Sequence, residues 1–172
     1  MTTTIKIDLF NKDSIRQAKK ELKTYKKDLQ NKCKAFVEEL ANIGLNVAMM
    51  TLAHDGVGDA PRGASFAIKV NQKGQLTQGI LEVTGEGILF WEFGAGFYFN
   101  AGGDNPYSGK FGMGAGTYPG QTHVPEPGFW YYRDEQNDAV RSYGTEATMP
   151  MYKATMEMIQ RVNGLAKQVF GV

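Results

Sequence analysis

The chain holds two histidines, His54 beside Asp55 and His123 near Glu126. Two imidazoles and two carboxylates could hold a metal, yet no pair has the spacing that brings two ligands to one helical face. Nucleophilic chemistry fares no better, because Ser14, Ser65, Ser108 and Ser142 lack an elbow motif and no base is placed beside them. The run Gly112-Met113-Gly114-Ala115-Gly116-Thr117 has the glycine density of a phosphate loop. It has no Gly-Lys-Ser or Gly-Lys-Thr and no helix starting directly after it, and Pro119 and Pro125 point to extended chain instead. The single cysteine, Cys33, cannot form an internal disulfide, which fits a reducing cytoplasm. Its helical spacing with Leu29, Phe36 and Leu40 marks it as a small core residue. No catalytic, cofactor-binding or metal site is expected, and the chain does not read as an enzyme.

Charge is the other chemistry on offer. The net charge is +1 and the pI about 7.8, so no global field selects nucleic acid or membrane as partner. Locally the balance differs. Arg16, Lys19, Lys20, Lys23, Lys26, Lys27, Lys32 and Lys34 face only Glu21 and Asp28, about six net positive charges on one stretch of helix. That face is either solvated or set against DNA or an acidic protein surface, and Lys19, Lys20, Lys23, Lys26 and Lys27 are its candidate contact residues. The lack of nearby stacking aromatics counts against single strands.

At 172 residues the chain is expected to form a single domain around one core. Met1-Thr2-Thr3-Thr4 opens no apolar signal region, and no run approaches the ~18 apolar residues of a membrane span, so a soluble protein is expected. Ile5, Ile7 and Leu9 alternate with polar neighbours as in a short edge strand. Ser14 and Gln17 have capping-box spacing for a long helix. Apolar residues then recur from Ile15 through Leu22, Leu29, Phe36 and Ile43 to Met50. The unbroken seven-residue series has a companion column that drifts from Ala18 and Tyr25 to Cys33, Leu40 and Val47. This drift fits a straight helix packed on a sheet better than a free coiled coil. Gly44 is a candidate bend, and residues 54–63 read as a loop.

Phe66, Ile68 and Val70 alternate in a strand that turns at Asn71–Gly74 into a second one, from about Gln75 to Thr84. Ile88-Leu89-Phe90-Trp91-Glu92-Phe93-Gly94 reads as the third and central strand of a meander, bounded by glycines on both sides. Glu92 is anomalous there. It must face water at the strand edge, find a donor or meet another subunit, since burying it unpaired costs several kcal/mol. The fold class expected is α+β: a long N-terminal helix and a C-terminal helix packed on an antiparallel meander.

Residues 94–128 contain ten glycines and four prolines, with Phe97, Tyr98, Phe99, Tyr107, Phe111 and Tyr118 among them. Disordered linkers are poor in aromatics, so residues 94–128 are expected to form an extended arm that orders on other subunits. Phe129 to Arg133 is a further aromatic strand that Val140–Tyr143 can pair with, and Thr148 with Pro150 opens a closing helix whose apolar face runs from Tyr152 to Val169.

The order of these parts is similar to a known family. A lysine-rich first helix, Trp91-Glu92-Phe93-Gly94, a glycine-rich insertion, Gly128-Phe129-Trp130-Tyr131-Tyr132, Tyr143-Gly144-Thr145 and Met149-Pro150-Met151-Tyr152-Lys153-Ala154 together resemble the minor tail, or tail-completion, family of long-tailed bacteriophages. Ala95 and Met151 stand where that family commonly has threonine and an aromatic residue. The resemblance, over about residues 14 to 170, implies a structural protein of the virion neck, assembled in the bacterial cytoplasm. It implies a cyclic oligomer, with a hexamer expected, between head connector and tail tube, contacting neighbouring neck and tail proteins and DNA in the channel. Tail termination in the same neck, or DNA binding through the basic helix, are the alternative roles. Trp91, Glu92, Phe93, Phe97, Tyr98, Phe99, Tyr107 and Tyr118 are the candidate interface residues, because aromatic anchors bury much area for few rotatable bonds.

Overall fold

The structure, a computed structural model, describes residues 4–54, 64–85, 87–96, 105–113, 128–133 and 136–171. Its class is α+β. A 43-residue helix, α1 (Lys12–His54), is followed by the hairpin β1 (Ser65–Lys73) and β2 (Leu76–Thr84), then a six-residue helix α2 (Ile88–Phe93). A single 3-10 turn (Ser108–Phe111), a second hairpin β3 (Trp130–Arg133) and β4 (Ala139–Ser142), and α3 (Pro150–Phe170) complete the order.

Two local expectations fail at the N-terminus. Residues 4–8 form no strand, because the Asp8 and Asn11 side chains satisfy backbone donors in a tight turn instead. Asp8 Oδ1 accepts the Phe10 N–H at 3.0 Å, and Asn11 Oδ1 accepts those of Asp13 and Ser14 at 2.9 and 3.4 Å. Asn11 is therefore the cap of α1, and Ser14 Oγ accepts the Asp8 N–H at 2.8 Å.

α1 runs unbroken, and α3 lies antiparallel along its second half, with Gly44 against Met158 and Phe36 against Phe170 at 5.7 Å between ring centroids. Gly44 is a point of close approach within a continuous helix. The most buried positions of this half are Ala41, Gly44, Ala48 and Leu52. At about 100° per residue they sit roughly a quarter turn from the stripe Phe36, Leu40, Ile43 and Val47, which is only half-buried. The small residues decide which face packs, because they leave room for the side chains of α3, as Gly44 does for Met158.

The β1–β2 hairpin has the expected form, with Phe66 opposite Val83, Ile68 opposite Leu81 and Gly74 at φ 64° in the turn. It packs on α1 through Gly79, beside Val37, and the Gln30 amide reaches the Gly74 carbonyl at the turn. The meander stops there: the segment expected as the third strand is α2, so this sheet has two strands. Gly87 enters the helix at φ 71° and Gly94 leaves it at φ 75°, its N–H donating to the Phe90 carbonyl at 2.7 Å. A run apolar on every side satisfies a strand alternation and a helical turn equally. The decision comes from contacts elsewhere in the chain.

β3 and β4 pair as expected, Tyr132 opposite Val140, in a sheet of their own. α3 opens at Pro150 and closes at Gly171, in the left-handed region at φ 72°.

Candidate functional site

A helix as short as α2 does not hold itself together, since nucleation alone is unfavourable. It is held by the chain entering α3. The Trp91 carbonyl accepts the N–H groups of Thr148 and Met149 at 2.8 and 3.2 Å, and the Thr148 hydroxyl at 3.3 Å. One residue on, the Glu92 carboxylate reaches the first turn of α3: Oε2 accepts the Met151 N–H at 2.8 Å and Oε1 the Tyr152 N–H at 2.9 Å. Met149, at the cap position of α3, is in the left-handed region at φ 56° and gives α3 no side-chain cap. Glu92 supplies that cap from across the fold, where a negative charge also complements the helix dipole.

Asn105 closes the third side. Its amide nitrogen donates to Glu92 Oε1 at 2.9 Å and to the Glu92 carbonyl at 3.3 Å, while its own oxygen accepts the Tyr107 N–H at 3.0 Å. Glu92 is 8% exposed and Asn105 2%. Burial pushes the Glu92 carboxyl above its ordinary range, and the Met151, Tyr152 and Asn105 donors and the nearby Lys153 charge oppose that rise. The three donors on its oxygens make this carboxylate the cap of α3, and Glu92 also lines the groove that opens beside it.

Gly94, Ala95 and Gly96 continue the junction. Ala95 and Thr145 exchange two backbone hydrogen bonds of 2.8 Å. A side chain on Gly144 would place its Cβ 2.0 Å from the Ala95 carbonyl oxygen, and one on Gly96 2.5 Å from that of Tyr143, so these strands of chain touch only because both residues are glycine. Residues 91–96 therefore meet residues 143–152, some fifty to sixty residues on in sequence, in one hydrogen-bonded knot.

Of the candidate interface residues, Glu92 and Phe93 are turned into their own subunit, the acid by its donors and the ring against Phe111 at 5.3 Å. Glu92 therefore does not face water at a sheet edge. Trp91 is half-buried, and Tyr107 is 51% exposed with its ring edge-on to Tyr152. Phe97, Tyr98, Phe99 and Tyr118 lie outside the described residues. Within the segment expected as an arm, residues 105–113 lie against α2 and α3 because Asn105 and Phe111 find partners there, and Met113 is buried. Beside the knot opens a mainly apolar groove of about 510 Å³, lined among others by Ile80, Val83, Leu89, Phe93, Tyr107 and Tyr152.

Lys19, Lys20, Lys23, Lys26 and Lys27 are all exposed on the first half of α1, where every residue from Lys19 to Leu29 is exposed. His54 is the last residue of α1, while Asp55, His123 and Glu126 lie outside the described residues. Among the described residues no three of His, Cys, Asp and Glu cluster as a metal site would require, and no helix is long and apolar enough to cross a membrane. Asn105 is the member of the knot that sequence reasoning missed, and Thr148 was named only as the opening of α3, without its bonds to Trp91. The one local signal was Asn105-Pro106, a turn-initiating pair. No protein-family model, curated protein or solved structure matches the chain.

Proposed function

We propose that this chain is a structural protein of a bacteriophage neck, a tail-completion or head-tail joining subunit that assembles as a ring between head connector and tail tube. One observation carries the reading. The short motifs on which the resemblance rests are unspecific singly, but in this fold Trp91-Glu92-Phe93-Gly94 bonds to Met149-Pro150-Met151-Tyr152 through Trp91 and Glu92, and Ala95, the next residue, bonds to Thr145 of Tyr143-Gly144-Thr145. Residues that form one junction form a unit, so their joint presence weighs more than three separate matches.

The exposed apolar residues support the assembly part of the reading. Phe10 is fully exposed, and Leu22, Tyr25, Leu29, Tyr131 and Tyr143 are each exposed by 41% or more. A contiguous apolar stripe left open, as at Leu22, Tyr25 and Leu29, marks a surface that other chains cover, and closed symmetry is the usual way for identical copies to cover it.

Sizing of the purified protein by light scattering, with labelling of phage particles by an antibody to the chain, tests the proposal. A closed oligomer and label at the head-tail junction are expected. A strictly monomeric chain that binds neither connector nor tail proteins would overturn it. The exposed lysines of α1 favour one second reading, a DNA-binding module. That reading requires duplex affinity that falls steeply with salt and on charge reversal at Lys19, Lys23 and Lys26.

A further inference from the structure

The first half of α1 divides into three faces. At about 100° per residue, Ile15, Ala18, Leu22, Tyr25 and Leu29 fall on one narrow stripe. All six lysines of residues 12–29, with Arg16, fall in an arc roughly 120° wide on one flank of that stripe, with no acid among them. Glu21 and Asp28 fall on the opposite flank, while Asp13 lies just beyond the edge of the basic arc and pairs with Arg16 at 3.1 Å.

These residues have the register of two heptads. Ile15, Leu22 and Leu29 take the a positions and Ala18 and Tyr25 the d positions, while Lys19 and Lys26 occupy e and Glu21 and Asp28 occupy g. Leu22, Tyr25 and Leu29 are 53%, 54% and 41% exposed. Ile15 is half-buried and Ala18 already buried at 4% exposure, so the open part of the stripe is Leu22, Tyr25 and Leu29. The subunit's own core lies elsewhere. Beyond Ala18, its deepest α1 positions, Ala41, Gly44, Ala48 and Leu52, are turned about a quarter of a revolution from this stripe. From Leu22 to Leu29 the stripe is thus open among the described residues, and a second helix can lie along it.

The flanking charges identify that helix. In an antiparallel pair of these helices e faces e and g faces g, which sets Lys19 and Lys26 against each other and Glu21 against Asp28. In a parallel pair g faces e of the following heptad, which sets Glu21 of each copy against Lys26 of the other. We propose that the first half of α1 associates in parallel with the same segment of further copies of this chain, through Leu22, Tyr25 and Leu29 flanked by Glu21–Lys26 pairs. The inference deepens the proposed function, resting on its reading of the chain as a self-associating subunit.

Cross-linking of the full chain with Cys33→Ala in the background tests orientation. In parallel association Leu22→Cys and Leu29→Cys each form a disulfide-linked pair with themselves under mild oxidation. In an antiparallel one Leu29→Cys forms none alone, which would overturn the inference. Charge provides an independent arm. Glu21→Lys and Lys26→Glu should each weaken association roughly 2- to 5-fold, and the double swap should restore it. Strengthening by either single reversal would overturn the parallel arrangement. Leu22→Asp is expected to lose the self-associated species in sedimentation while keeping the far-ultraviolet spectrum. An oligomer that ignores Leu22→Asp and never cross-links at 22 or 29 overturns the seam alone. A wild-type chain that is monomeric at every concentration overturns the seam and the proposed function together.

Discussion

Glu92 is where one side chain decides the most. It stands in for a missing local cap on α3, and three donors lose their acceptor if it goes. Glu92→Ala should cost about 2–3 kcal/mol, the sum expected for a lost cap and a buried donor left unmet. Chemical unfolding followed by circular dichroism checks this, and a variant within about 0.5 kcal/mol of wild type would refute the role. Glu92→Gln keeps the shape but turns an amide donor toward a backbone N–H, so a loss of about 1–2 kcal/mol is expected. The two also differ in pH dependence. Burial raises the folded-state titration of Glu92 above the ordinary value, so between those two points the native state holds more proton than the unfolded chain. The stability contributed by Glu92 is therefore greatest below about pH 4.3, the ordinary glutamate value, and declines as pH rises through the raised one. Unfolding wild type and Glu92→Gln across that window should show the wild-type advantage shrinking toward neutral pH. The sequence displayed the anomaly, an acid inside Ile88–Gly94, and the requirement that it find a donor. It could not display the donors, since the N–H groups of Met151 and Tyr152 belong to the backbone, which every residue shares and no side-chain pattern marks.

Elements met their expectations wherever local chemistry outweighed distant contacts. The β1–β2 hairpin, the β3–β4 pair and the start of α3 follow from alternation, turn residues and proline, all readable within a few positions. α2 does not, because Leu89, Trp91 and Phe93 alternate as well as they wind, and the choice of helix comes from Thr148, Met149 and α3 more than fifty residues away. Two glycines show how packing between elements separates what sequence makes look alike. An alanine methyl at Gly79 would lie 2.5 Å from Val37 Cγ1, a branched side chain with little freedom on a helix. Gly79→Ala should therefore pry the hairpin from α1 at about 1–3 kcal/mol. At Gly44 the methyl would come 2.7 Å from Sδ of Met158, part of an unbranched chain that can swing aside. Alanine also gains about 1 kcal/mol of helix propensity there. Gly44→Ala should thus be near neutral. Thermal melts of the two variants side by side separate the cases, and equal losses would show that Met158 is as confined as Val37.

At the scale of the whole molecule, α1 carries at Leu22, Tyr25 and Leu29 an apolar face that is open among the described residues. Steps of three and four residues show that Leu22, Tyr25 and Leu29 share a face with Phe36 and Ile43, but spacing does not tell what covers that face. In the second half of α1 burial moved to the face carrying Ala41 and Ala48, which the search for large apolar residues passes over. If copies of the chain cover the free face, association and folding are linked, and anything that binds only the native state raises its stability with concentration. The melting temperature of wild type should therefore climb with protein concentration. A gain of about 1 kcal/mol on association corresponds to roughly 2–4 °C for a chain of this size. Leu22→Asp should melt at one temperature throughout, equal to that of dilute wild type, because Leu22 is more than half exposed in the single subunit and its loss costs that subunit little. Added salt distinguishes the components of the seam: it screens the Glu21–Lys26 pairs and leaves the leucines unaffected, so association should weaken modestly. Duplex DNA bound by the same lysines would instead be released by several powers of ten over a similar range of salt. A melting temperature independent of wild-type concentration, with steep salt-dependent binding to DNA, would transfer this half of α1 from the assembly reading to the nucleic-acid one.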